Sequence, residues 1–253
     1  MYRVVVIGFA ALLCLAPAAA RAAGDVAPSG QCPGAAGFPP GDAKLEALAT
    51  AIKAGGPVAV LAVGSANTVE EDAKANGVSF PYHMIEALRA ALPKVDFELT
   101  VKGGRGMTAQ DMLPVLDAQV AAHRFPLVIW QTGTVEAVRA LRPDSLHAAL
   151  DAGVQHVRAR GGDTVLIDPN YSRALRANTE IDPYVQVMRQ VAGLPGVVLF
   201  PRYELTRSWV EGGKLDVEKA PKAERTAAVD ALHQCVGRAL ASFVLNSLRT
   251  ASP

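Results

Sequence analysis

A chain of 253 residues, half of them hydrophobic, with a formal charge of +1, is long enough for one large α/β domain with a full core and short for two. The charges form no block of like sign, and the five histidines are scattered rather than clustered. That balance argues against nucleic acid or an anionic membrane surface as the main partner.

Residues 1–22 read as a secretory signal peptide. Arg3 supplies the positive start, residues 4–15 an apolar stretch, and Ala20-Arg21-Ala22 a small-x-small cleavage site. The rival, an uncleaved anchor, suffers from an apolar stretch too short for a span and interrupted by Pro17. A lipid anchor on Cys14 would need a small residue directly before it, where Leu13 stands. Cleavage after Ala22 implies an exported protein, periplasmic or secreted, with no stable membrane insertion afterwards. Loss of Arg3 and Arg21 leaves 23 basic against 24 acidic residues. Cys14 leaves as well. In an oxidising compartment the remaining Cys32 and Cys235 suggest one disulfide, the alternative being two buried free thiols.

Residues 23–41, rich in Gly, Pro and Ala and without periodicity, read as an extended leader. Residues 42–253 then read as one domain in which helix-like and strand-like segments alternate. Residues 42–53 place Leu45, Leu48, Ala49 and Ile52 at helical spacing. The first strand is 57–63, followed by a helix over 81–91 and a strand over 95–101. Thr108 is the expected N-cap of a helix running to 123, with Met112, Leu113, Leu116 and Val120 on one face. A strand at 126–131, a helix at 143–160 and a strand at 163–167 follow. A helix at 182–192, a strand at 196–200, a short helix at 203–210 and a long one at 224–248 close the chain. Trp130 and Tyr82 are expected in or near the core. Five continuous apolar strands separated by helices predict a parallel sheet covered on both faces, a three-layer α/β/α sandwich.

The chemistry-bearing residues fall in four short stretches: residues 62–68 around Gly64-Ser65, residues 103–108, residues 131–136, and Asp230 with His233. The first lies at the carboxyl end of a strand, where open α/β sheets bind ligands. An acid three residues before a histidine can orient the imidazole, which can then take a proton from a serine. Each piece also has a plain reading. Ser65 can cap the turn after its strand, and the glycines at 103, 104 and 106 can serve a tight turn. Asp230 and His233 can be surface residues on one helix face. The glycines lack a dinucleotide fingerprint, and no phosphate-binding lysine follows them. His83, His123, His147 and His156 have no acidic or cysteine partner at ligand spacing, so no metal site is expected.

Taken in order, the four stretches resemble the SGNH, or GDSL-type, hydrolase family. Its serine block maps onto Ser65, and its second block onto Gly103 with Gly106 and Thr108. Its third maps onto Gly133-Thr134, and its Asp-x-x-His block onto Asp230 and His233. The resemblance implies a flavodoxin-like fold and an ester-bond hydrolase that needs no cofactor and acts on a small-molecule or glycan ester. It implies Ser65 as nucleophile, His233 as general base and Asp230 as its orienting acid. Ser65 and Gly103 would supply the oxyanion N–H groups. Val135 stands where the family places an oxyanion-binding asparagine, and valine donates no hydrogen bond. Val135 and Glu136 are candidates for the substrate pocket, Glu136 either meeting substrate or lying solvated. An O-acyltransferase of the same architecture and a non-catalytic envelope or carbohydrate-binding protein are the alternatives. No feature sets an oligomeric state.

Overall fold

The computed structural model describes Met1 and residues 32–33, 44–69 and 79–250; the expected signal peptide and most of the expected leader lie outside the described residues. Five parallel strands form one sheet in the order β2-β1-β3-β4-β5. They are β1 Pro57–Gly64, β2 Asp96–Gly103, β3 Leu127–Gln131, β4 Asp163–Ile167 and β5 Val197–Phe200. Among the described residues the α-helices are α1 Glu46–Ala54, α2 Phe80–Ala91, α3 Ala109–Ala122, α4 Thr134–Val138 and α5 Pro143–Ala159. After them come α6 Arg173–Asn178, α7 Asp182–Val191, α8 Arg202–Glu211 and α9 Arg225–Thr250. No helix among the described residues is long and apolar enough to cross a membrane.

The strands are apolar throughout because side chains alternate between two buried faces. Val58, Val60, Ala62, Ile129, Val165 and Phe200 pack beneath α1, α2, α8 and α9, with Trp209 in the same layer. Leu61, Val63, Val128, Trp130 and Leu166 pack on the opposite side beneath α3, α5 and α7. The three layers and the five-stranded parallel sheet are therefore those the sequence predicts, in the flavodoxin-like strand order. Strand order reverses direction between β1 and β3, so the crevice at the carboxyl ends of these two strands is the natural ligand position.

Local differences have physical causes. Residues 44 and 45 are not helical, and α1 starts at Glu46. Its cap comes from across the sheet, where the Asp163 carboxylate accepts the Leu48 N–H at 3.0 Å. Residues 134–138, to which the sequence assigns no element, form the short helix α4, launched by Gly133 at φ 92°. Helix α6 was not expected; Ser172 caps it by accepting the Leu175 N–H at 2.9 Å. Trp130 is fully buried, but Tyr82 is exposed, because α2 buries Phe80, Met84, Ile85 and Leu88 and turns Tyr82 the other way. Cys32 and Cys235 are joined as a disulfide, with their Cα atoms 5.2 Å apart.

Burial pushes the Asp163 carboxyl up to about 6 from an ordinary 3.8, against the pull of the Leu48 and Ala47 N–H groups. An acid with a raised folded pKa opposes folding once it must ionise. Stability falls as pH rises from about 4 to about 6, because the unfolded chain sheds its proton first, and it levels off above that window. Asp163→Asn keeps an acceptor for Leu48 and removes the titration. It is expected to exceed the parent in stability by about 1–2 kcal/mol near pH 7 and to lose that advantage near pH 4. Denaturant titrations at the two pH values check this; equal differences at both would refute it.

Candidate active site

The crevice is built from backbone first. β1 and β2 stay in register to their last pair, Gly64 opposite Gly103. Both positions demand glycine. A Cβ on Gly64 would stand 2.1 Å from Thr68 Oγ1, and one on Gly103, at φ +124°, would stand 1.9 Å from the Gly64 carbonyl oxygen. The Gly104 N–H then donates to that carbonyl at 3.2 Å. This close approach brings the start of the 103–108 loop against the residue preceding Ser65.

Ser65 opens a tight turn in which its carbonyl accepts the Thr68 N–H at 2.9 Å. The serine is only 7% exposed. Its backbone N–H and its hydroxyl both donate to Gln131 Oε1 at 3.3 Å, and the Thr68 hydroxyl donates to the same oxygen at 3.0 Å. Gln131 is the last residue of β3, and its side chain is buried. It thus gathers the Ser65 turn onto the neighbouring strand, across the point where strand order reverses.

Glu136 is buried rather than solvated. It accepts the Thr132 hydroxyl at 2.9 Å and the Gly133 N–H at 2.9 Å, and it also accepts the Ala109 N–H. It therefore ties the β3–α4 turn to the first residue of α3. Thr108 caps that helix, accepting the Asp111 N–H at 3.2 Å while Asp111 accepts the Thr108 N–H at 2.9 Å. These bonds to Thr108 hold the Asp111 carboxyl below its ordinary value. Val135 is half-buried in α4, and its side chain has no donor to offer.

Asp230 and His233 lie one turn apart within the first three turns of α9. Gly237, one turn further on, sits against α2, where a Cβ would meet the Phe80 carbonyl oxygen at 2.6 Å and the Met84 nitrogen at 2.9 Å. Phe80 is the first residue of α2, a helix that runs back from the carboxyl end of β1. Ser79, just before it, donates its hydroxyl to the Thr68 carbonyl at 2.9 Å. Contacts thus run from Ser65 through Thr68 and Ser79 to Phe80 and Gly237, and His233 lies one turn from Gly237 on the same helix. Both α9 residues are half-buried. Among the described residues Asp230 Oδ1 is buried without a hydrogen-bond partner, and His233 Nδ1 is buried too. The Ser65 hydroxyl points to Gln131.

The carboxyl ends of β4 and β5 add two charged residues that sequence reasoning missed. The Arg202 Nε–H donates to the Asp168 carbonyl at 2.9 Å, and Asp168 Oδ1 accepts the Tyr203 N–H at 2.7 Å. Burial pushes the Asp168 carboxyl up to about 7 and pulls the Arg202 guanidinium down to about 10. The guanidinium stacks over the Phe80 ring, 5.9 Å from its centroid, and so links β5 to the start of α2. Gln131 was also missed as a site residue. Its signal was a lone polar residue ending the apolar strand from Leu127 to Trp130.

The remaining histidines lie outside this crevice. Sequence spacing offers His156 no acidic partner, but the fold brings its Nδ1 within 2.6 Å of Asp117 Oδ1 on α3, in an exposed pair. His83 Nδ1 lies 3.4 Å from Glu86 on its own helix. Among the described residues no group of three or more His, Cys, Asp or Glu is placed to hold a metal ion.

Comparison with known proteins agrees with this architecture. Residues 31–250 match the Non-GDSL lipase-like family. The match supports the hydrolase resemblance of the motifs, while the description of the family qualifies its GDSL-type part. The fold is nonetheless that of SGNH hydrolases. The crystal structure of TesA superposes with a TM-score of 0.54 at 20% identity, over 73% of this chain and 99% of TesA. Axe2, an acetylxylan esterase from Geobacillus stearothermophilus, superposes with a TM-score of 0.61 at 18% identity, over 75% of this chain and 95% of Axe2. Axe2 variants altered at a serine, an aspartate and a histidine are described as catalytic mutants, the aspartate three positions before the histidine. No curated protein is similar enough in sequence to match.

Proposed function

The chain belongs to the Non-GDSL lipase-like family, and from that premise we propose that it is an exported serine hydrolase acting on ester bonds through Ser65, His233 and Asp230. The observation that carries the reading is the position of Ser65. It directly follows strand β1, beside the point where strand order reverses, on a turn fixed by two glycines that cannot be replaced without collision. The Asp230 oxygen that meets no donor among the described residues supports the role given to it. A buried acceptor without a donor is costly, and an imidazole N–H one turn along the helix is a donor of the right kind. The Asp-x-x-His spacing is the one that the Axe2 variants mark as catalytic in that esterase.

In this reading Ser65 Oγ attacks the ester carbonyl carbon as His233 removes the hydroxyl proton. The carbonyl π electrons move to its oxygen, which backbone N–H groups of Ser65 and Gly103 receive. Collapse breaks the bond to the alcohol, which leaves with the proton held by His233. Water, activated by the same imidazole, then releases the acid from Ser65. Asp230 keeps the imidazole in the tautomer that can accept a proton. No step calls for a cofactor. A small acyl group on an alcohol or a carbohydrate is the substrate class, and the disulfide between Cys32 and Cys235 accords with an exported protein whose mature chain begins at Ala23.

Intact-mass analysis after treatment with a fluorophosphonate tests the reading, with peptide mapping expected to place a single adduct on Ser65. p-Nitrophenyl esters and acetylated glycans, with and without a glycan acceptor, then separate hydrolysis from acyl transfer. The half-buried Val135, with no side-chain donor for the oxyanion, favours one competing reading, a non-catalytic carbohydrate-binding protein. An unlabelled Ser65 in folded protein would decide for it.

A further inference from the structure

Resting on the serine-hydrolase reading above, we infer that Gln131 is a latch on Ser65: its side-chain oxygen holds, in the resting site, both the N–H and the hydroxyl that the chemistry needs. The orientation of the amide is fixed by its partners. The Ser65 N–H can only donate, so the atom that faces it at 3.3 Å is the oxygen and not the nitrogen.

The strength of the latch follows from crowding. An amide oxygen has two lone pairs, yet Gln131 Oε1 faces three donors, with Thr68 nearest at 3.0 Å and both Ser65 groups at 3.3 Å. Thr68 therefore takes the best share and leaves the two bonds to Ser65 long and weak. They suffice to hold the serine still in a site only 7% exposed and are weak enough for substrate to exchange. On binding, the ester carbonyl oxygen replaces Gln131 as acceptor of the Ser65 N–H, and His233 replaces it as acceptor of the hydroxyl. Gln131 keeps Thr68 throughout. Gln131 is thus a positioning residue. It sits four residues before Val135 and on the opposite sign of chemistry from the expected asparagine, accepting where that residue would donate.

The rate of Ser65 modification by a fluorophosphonate, followed by intact mass from about pH 5.5 to about pH 9, tests the latch in three variants. Gln131→Glu keeps every acceptor bond but, once ionised, grips Ser65 harder and repels the forming oxyanion. Its rate relative to the parent is expected to fall about 10²-fold at the alkaline end and to recover toward the parent as pH drops and the carboxyl is protonated. Taking the ratio to the parent removes the pH dependence that the two proteins share. Gln131→Met, which removes the acceptor at similar volume, is expected to label at least as fast as the parent. Thr68→Val removes the competing donor and tightens the latch, so labelling slows several-fold without a new pH dependence, which keeps the test decisive if a Gln131 variant fails to fold.

A Gln131→Glu ratio that is flat and close to one at every pH overturns the latch while leaving the hydrolase reading intact. So does a Met variant that labels far more slowly than a normal Glu variant, since Gln131 would then aim the serine rather than restrain it. A parent enzyme whose Ser65 takes no label brings down the hydrolase reading and the latch with it.

Discussion

Ser65→Ala is expected to lower the rate of ester hydrolysis by at least about 10³-fold, and by more with a good substrate, while leaving the thermal midpoint nearly unchanged. The small stability effect follows from the structure. Among the described residues the hydroxyl makes one long bond, 3.3 Å to Gln131, and that oxygen retains Thr68 as a closer donor. His233→Ala should lose activity to a similar extent. Asp230→Asn should lose somewhat less, because an amide still fills the place but cannot hold the required tautomer. Combining any two of these changes should cost little beyond the worse of them, since the three groups act as one unit. Substrate turnover and thermal melts on the purified variants check the set. Full activity in Ser65→Ala would remove the serine from the mechanism.

The second large effect is on stability. The Cys32–Cys235 disulfide spans 203 positions, and closing so long a loop in the unfolded chain is worth about 5 kcal/mol by chain entropy, less where the reduced chain keeps residual structure. Reduction, or Cys235→Ala paired with Cys32→Ala, is expected to lower the denaturant midpoint accordingly. Because Cys235 lies two residues past His233 on α9, activity should fall before global unfolding, as the tether on that helix is released. Activity and fluorescence followed together along a denaturant series, with and without reductant, would show the two curves separating. Coincident curves would mean that the bond stabilises the whole fold and does nothing particular for His233.

The sheet was legible because each strand is a continuous apolar run, and such runs have one stable use in a chain of this length, as central strands with helices on both faces. The Ser65 turn was legible for a related reason. A Gly-Ser pair directly after a buried run has to lie at the strand's carboxyl end. Gln131, Asp168 and Arg202 were not legible, because their importance lies in contacts between residues far apart in sequence. Asp168 and Arg202 are 34 positions apart, and Gln131 is 66 positions from Ser65. Glu136 shows the limit from the other side. Its neighbourhood in sequence suggested substrate or solvent, whereas three donors, two from the β3–α4 turn and one from the start of α3, had claimed it. The start of α1 was misplaced because its cap, Asp163, lies on another element, and no local signal marks a cap supplied from a distance.

The two tryptophans of this chain lie on opposite sides of the sheet, Trp130 in the layer of α3, α5 and α7 and Trp209 in the layer of α8 and α9. Both are almost wholly buried. Each layer therefore carries its own intrinsic fluorophore, and each can be silenced by a single Trp→Phe change. Emission from the Trp130→Phe protein reports on the layer that holds the helix of Asp230 and His233. Emission from the Trp209→Phe protein reports on the layer tied together by Glu136. If the two signals fade at one denaturant concentration, the domain melts as a single cooperative unit. If the α9 side fades first, the half of the molecule that carries the proposed base is also the half that opens most readily.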